Sequence, residues 1–166
     1  MAYKIIAAMS ASNRVIGSEG HIPWKIKEDF QHFIKMTEHH VLVMGMKTYK
    51  SLGTVGLKNR QIIVLTKNNT YGWDEATYEH PKYGKIIVNI TNDSIIPSLD
   101  EASKRQTIWI CGGAEIYKLF LQKCDEVILS EIRQEYSGDV FMPEFQFKEK
   151  NLISTFEKFD VYSYKL

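Results

Sequence analysis

Trp109-Ile110-Cys111-Gly112-Gly113-Ala114-Glu115-Ile116-Tyr117 decides the fold: an apolar run, two glycines, then apolar residues at helical spacing. An unbroken hydrophobic run marks a strand covered on both faces, the habit of parallel sheets flanked by helices. Glycines at a strand-to-helix turn let backbone N–H groups approach a phosphate at the helix N-terminus, and they serve close packing equally well. The turn is not a complete dinucleotide fingerprint.

The same grammar recurs upstream in Val43-Met44-Gly45-Met46-Lys47-Thr48-Tyr49, again strand, glycine and helix start, with Lys47 and Thr48 placed to meet a phosphate. Short runs rich in β-branched residues at 4–9, 41–44, 62–65, 86–90, 107–111 and 127–132, with a terminal pair at 152–156 and 161–166, predict strands. Ile26, Phe30, Phe33 and Ile34 fall on one stripe and predict an amphipathic helix over 25–38. Ser98 and Glu101 form a capping-box pair after Pro97, and 114–121 is apolar at Ile116, Leu119 and Phe120, so two further helices are predicted. The alternation predicts an α/β fold, a three-layer sandwich whose mostly parallel central sheet carries an antiparallel C-terminal strand and is flanked by helices. No linker, repeat or low-complexity tract divides residues 1–166, which read as a single domain. Ligands of such sheets sit at the carboxyl ends of the strands.

The 166 residues are 44% hydrophobic and 25% charged, ordinary globular composition for one core. Lys+Arg 21 against Asp+Glu 20 leaves a net charge of +1, so no overall field favours nucleic acid or an anionic membrane, and a small ligand is expected. The first apolar stretch is too short for a signal h-region or a membrane span, which predicts a cytosolic location. Cys111 and Cys124 have no metal-ligand spacing around them and read as reduced packing residues. The His39-His40 pair reads as a solvated helix end, and no metal site is expected.

Two charges stand out. Asp29, following Ile22-Pro23-Trp24, falls beside the apolar stripe of the first predicted helix, flanked by Phe30 and Phe33. A carboxylate there is partly desolvated and needs a hydrogen-bonding cation or a fork-shaped donor. The bland alternative is that Asp29, with Glu28, complements the helix dipole. Arg60, just before the strand at 62–65, is placed to clamp a carboxylate bidentately, or is a solvated surface residue.

In order and spacing, Ala7-Ala8, Arg14-Val15-Ile16-Gly17, Ile22-Pro23-Trp24, Asp29, Phe33, Met44-Gly45, Thr48, Arg60, Ile63-Val64-Leu65-Thr66, Gly112-Gly113, Tyr117 and Gly138-Asp139 resemble the dihydrofolate reductases. The resemblance runs clearly from residue 1 to 143 and more loosely beyond. It implies reduction of 7,8-dihydrofolate, with hydride passing from NADPH to C6 and a proton reaching N5 through a water near Trp24 and Ile22. Asp29 would accept two hydrogen bonds from the pterin's amino-pyrimidine edge. The resemblance also implies that Ile6 and Ala8 line the pterin, Phe33 stacks on the ligand, and Leu52 contacts the benzoyl group. Ser130 would bond the pterin through water, Arg60 would take the α-carboxylate of the glutamate tail, and Tyr117 would lie by the nicotinamide. The cofactor would be held by Ala8, Ile16, Gly17, Gly45, Met46, Lys47, Thr48, Leu65, Thr66, Lys67 and the run Cys111, Gly112, Gly113, Ala114, Glu115, Ile116 and Tyr117, with the Gly112-Gly113 peptide cis. A monomer is expected, with antifolates as plausible ligands.

The departures from the family are specific. Met46 stands where many relatives place a basic residue against the cofactor's 2′-phosphate, and Glu115 takes a spot that is sometimes Arg. Lys47 and Lys67 are the cations left to supply that charge. Residues 53–59 lack the familiar Leu-Pro-Gly turn and are one residue longer, and Ile22 replaces a methionine or leucine. The polar stretch 67–85 has no clear counterpart. Two rival readings, a reductase of the same fold acting on a riboflavin precursor and a silent structural protein, are separated from this one by Asp29 and Arg60.

Overall fold

The structure, a computed structural model, describes residues 2–52, 60–67, 74–80, 84–91 and 93–166. The alternation read from the sequence becomes β1 (Tyr3–Ser10), β2 (Val15–Gly17), α1 (Lys27–Thr37), β3 (Val41–Gly45), α2 (Met46–Leu52), β4 (Gln61–Leu65), β5 (Asp74–His80) and β6 (Gly84–Thr91). It continues through α3 (Ile96–Ser103), β7 (Ile108–Ile110), α4 (Ala114–Phe120), β8 (Cys124–Ile132), β9 (Val140–Phe141), β10 (Glu149–Thr155) and β11 (Phe159–Lys165).

Nine strands form one sheet in the order β10-β11-β8-β1-β7-β3-β4-β6-β5. From β8 to β6 every pairing is parallel. Inner strands of this kind present apolar side chains to both faces, and the alternation along each divides them between two cores. Ile5, Met9, Val43, Ile63, Ile108, Ile110 and Leu129 pack on one side. Ile6, Leu42, Met44, Ile62, Val64, Trp109 and Ile128 pack on the other. The predicted antiparallel C-terminal strand is β11, which runs against β8; β10 then pairs antiparallel with β11.

Three features differ from the sequence reading. Polar β5, inside the stretch that had no counterpart, adds antiparallel to β6 at the sheet's far edge. An edge strand needs only one covered face, so its composition carries little hydrophobic signal. The helix expected to be capped by Ser98 begins at Ile96, with Ile95 as its N-cap and Pro97 in its first turn, so Ser98 lies inside it. His40 is not simply solvated: its Nδ1 accepts a 2.9 Å hydrogen bond from the Trp109 indole N–H, whereas His39 is exposed. The turn at 53–59, along with Tyr71 and Trp73, lies outside the described residues.

The free thiols of Cys111 and Cys124 are buried. Burial pushes the Cys124 thiol up to about 12, so it is a packing group rather than a nucleophile. Among the described residues no helix is long and apolar enough to cross a membrane, and no group of three His, Cys, Asp or Glu is placed to hold a metal.

Candidate active site

The carboxyl ends of β1, β3, β7 and β8 open toward α1, and between them lies a cavity of about 250 Å³. Its floor includes Ile6, Ala8, Cys111 and Ser130; one wall is α1, presenting Asp29, Phe30, His32 and Phe33. Ile16, Ile22 and Trp24 approach from the segment between β1 and α1, and Thr48 and Leu52 approach from α2. Gly112, Gly113 and Tyr117 complete the lining. Apolar walls with a few converging polar groups are the usual form of a small-molecule site.

Asp29 sits in the first turn of α1, on the face that α1 turns to the cavity. Among the described residues no cation lies within ion-pair distance of it. Burial raises its pKa, and the side chains of Ser130 and Trp24, which face it, pull in the opposite direction. The Trp24 indole N–H is buried and closes no hydrogen bond of normal geometry. The result is a carboxyl group in an apolar wall with hydrogen-bonding capacity beyond what Ser130 and Trp24 supply.

Across the cavity, the Gly112-Gly113 peptide is cis, as the resemblance implied. Gly112 has φ +107°, and a Cβ there would meet the Tyr117 hydroxyl at 3.0 Å, so the position requires glycine. The Gly45 N–H donates to the Gly112 carbonyl at 2.8 Å, which brings the two strand-glycine-helix turns against each other. Tyr117 donates its hydroxyl to the Ile6 carbonyl at 3.0 Å, and burial keeps the phenol protonated.

A Cβ on Gly113 would lie 3.7 Å from the Thr48 hydroxyl, and the exposed Lys47 and Lys67 both act on Glu115 at the start of α4. Lys67, just past β4, pairs with Glu115 of α4 at 2.9 Å. The Lys67 hydrogen bond and charge, helped by Lys118 and Lys47, hold the Glu115 carboxyl below its usual range. Backbone free of side chains for a pyrophosphate, with lysines at its end for a further phosphate, fits a phosphorylated dinucleotide.

Of the residues expected from sequence, Ile6, Ala8, Ile16, Ile22, Trp24, Asp29, Phe33, Thr48, Leu52, Cys111, Gly112, Gly113, Tyr117 and Ser130 line this one cavity. Gly17, Gly45, Met46, Lys47, Leu65, Thr66, Lys67, Ala114, Glu115 and Ile116 do not line it; they belong to the strand ends and helix starts around it. Arg60 is neither a cavity residue nor a surface one: it is 4% exposed, donates through Nε to the Thr37 hydroxyl at 3.1 Å, and through Nη2 to the Ile34 carbonyl. It fastens the end of α1. Ala7, Lys25, Ile26, Phe30 and His32 also line the cavity and were missed. For Phe30 and His32 the signal was available: His32 is i+3 from Asp29 and so shares its helix face, and Phe30 lies on the apolar stripe with Ile26, Phe33 and Ile34.

Comparison with known proteins bears on the same pocket. A family model described as dihydrofolate reductase matches residues 2–161. A dihydrofolate reductase of Mycoplasma genitalium is 35% identical over 154 residues, covering 91% of this chain and 90% of the relative. Dihydrofolate reductase type A13 of Escherichia coli is 38% identical over 151 residues, covering 91% and 83%. The solved structure of dihydrofolate reductase from Enterococcus faecalis complexed with NADP(H) and RAB-propyl superimposes with a TM-score of 0.74 at 26% identity, over 99% of this chain and 95% of that one. Fold, pocket and these matches define a nicotinamide-dependent oxidoreductase. The chain belongs to the dihydrofolate reductase family, whose activity is the NADPH-dependent reduction of 7,8-dihydrofolate to 5,6,7,8-tetrahydrofolate.

Proposed function

We propose that the reduction is organised around Asp29, which binds the amino-pyrimidine edge of dihydrofolate with both carboxylate oxygens. The observation that carries this reading is a carboxylate without a cation in the wall of the cavity that also contains the Gly112-Gly113 turn and Tyr117. A guanidine-like edge with two parallel N–H donors matches both oxygens of such a group.

NADPH, when bound, supplies the hydride. Thr48, Lys47, Lys67 and the backbone of Gly45, Gly112 and Gly113 would hold it, and the buried Tyr117 would lie by its nicotinamide. Ile6, Ala8 and Phe33 confine the pterin, and Leu52 meets the benzoyl portion farther out. Trp24 and Ile22 frame the water through which the proton reaches N5, and Ile22, 47% exposed, stands at the cavity mouth. Asp29 raises the proton affinity of the bound ring electrostatically without touching N5. Arg60 would serve the glutamate tail from the end of α1, the helix its guanidinium also anchors.

The near-neutral charge supports a cytoplasmic enzyme that works as a monomer in one domain, and the carboxylate in the cavity wall supports diaminopyrimidine antifolates as ligands at Asp29. The test mixes protein, dihydrofolate and either NADPH or NADH and follows the nicotinamide absorbance. NADPH oxidation that depends on dihydrofolate is the expected result, and its absence overturns the proposal.

A further inference from the structure

Among the described residues that line the cavity, two carry a fixed charge, Asp29 and Lys25. The other titratable groups of the lining, His32, Cys111 and Tyr117, are held neutral, chiefly by burial. Asp29 is absorbed by the chemistry above. Lys25 is not.

Lys25 precedes α1 and is exposed, whereas its neighbours Trp24 and Ile26 are buried. Among the described residues no hydrogen bond or ion pair engages its ammonium. The Asp29 carboxyl responds to burial, Ser130 and Trp24, and not to Lys25. The lysine therefore leaves the carboxylate open to a ligand and keeps its own charge at the rim of the cavity. Lys27 and Glu28, exposed and next along the chain, are of opposite sign and cancel at a distance. Lys47 and Lys67 stand with the glycine turns, where both act on Glu115.

A carboxylate in the wall suits the pterin edge but repels the rest of the substrate, because dihydrofolate carries two carboxylates on its glutamate tail. A cation at the rim of a cleft with low-dielectric walls draws such an anion in, since the walls focus its field toward the opening. We propose that Lys25 is a specificity-determining residue that steers the anionic substrate into the cavity, offsetting the repulsion of Asp29 at the mouth without pairing with it. Its field favours dihydrofolate over a dihydropterin without the tail, and it takes no part in the hydride or proton steps. This rests on the Asp29 reading.

The test measures kcat and KM of the parent, K25Q, K25E and K25R with NADPH and either dihydrofolate or a dihydropterin that lacks the glutamate tail, at low and high salt. At low salt K25Q is expected to lose about 3- to 5-fold in kcat/KM for dihydrofolate, the effect of one unit charge on two carboxylates about 10 Å away in water. K25E, which changes the charge by two, loses about the square of that factor, and K25R keeps the parent value. The loss lies in KM, with kcat within about 2-fold of the parent. It disappears at about 1 M salt, where the Debye length is about 3 Å, and the dihydropterin shows no such loss at either salt. A full kcat/KM in K25Q at low salt, an equal loss with both substrates, or a loss that persists at high salt overturns the proposal. Reduction of neither substrate by the parent overturns the Asp29 reading instead, so the two failures are distinguishable.

Discussion

Replacing Asp29 by asparagine is expected to move activity and stability in opposite directions. The substitution keeps the shape of the side chain but removes the charge and exchanges one acceptor for a donor, which opposes the N–H groups of the pterin edge. Loss of one preorganised electrostatic group costs about 10²- to 10³-fold in turnover. For stability, the carboxyl's pKa is raised by burial in the fold, with Ser130 and Trp24 only partly opposing it. A carboxyl raised in this sense favours folding below its unfolded pKa and disfavours it as pH climbs through the folded value. At neutral pH the ionised group is therefore a burden. Burying a polar group without full partners costs about 1–3 kcal/mol, and the facing donors put Asp29 at the low end. Asp29→Asn should then gain about 1 kcal/mol at pH 7, a rise of roughly 2–4 °C in Tm for a chain of this size. The gain should shrink as pH falls, because the parent is then already neutral. Nicotinamide absorbance gives the rate, and thermal melts at neutral and acid pH give the rest. Turnover within threefold of the parent, or a lower Tm at pH 7, refutes the reasoning.

Arg60→Leu is expected to lose about 1.5–3 kcal/mol of stability through its bonds to Thr37 and Ile34. It should also raise the KM for dihydrofolate more than that for a pterin without the glutamate tail; equal KM effects would leave the arginine purely structural. Glu126 is pushed up by burial but held at about 2 by Lys165, Ser163 and Lys4, against an ordinary 4.5. The stability it confers is present above pH 4.5 and should be lost as pH drops toward 2, a loss that acid titration of Glu126→Gln should no longer show. Lys67→Ala should weaken NADPH binding and leave NADH alone, and Glu115→Gln, by releasing Lys67 from its 2.9 Å partner, should do the reverse. Titration of intrinsic tryptophan fluorescence with each nucleotide reads both.

What could be read from the residues alone followed the hydrophobic signal. The inner strands β1, β3, β4, β7 and β8 announce themselves because burial on both faces leaves no room for polar residues. The 3.6-residue stripe on α1 likewise placed Asp29 beside Phe30 and Phe33. Strand β5, Asp-Glu-Ala-Thr-Tyr-Glu-His, could not be read this way, since its pairing with β6 is made by backbone and is blind to side-chain identity. The start of α3 was misplaced because a capping box is a local pattern that Pro97 overrides by fixing the first turn. Arg60 looked like an isolated surface charge because its partners are a hydroxyl and a carbonyl far upstream in the chain, and neither leaves a trace in its neighbourhood.

The two ends of α1 are secured very differently. At Thr37 the helix is pinned by its own hydroxyl bond to Phe33 and by the guanidinium of Arg60, just before β4, while at Ile26 no side chain caps it. Fraying of the helix therefore starts at Ile26, the end beside Asp29, where no side chain satisfies the first backbone N–H groups.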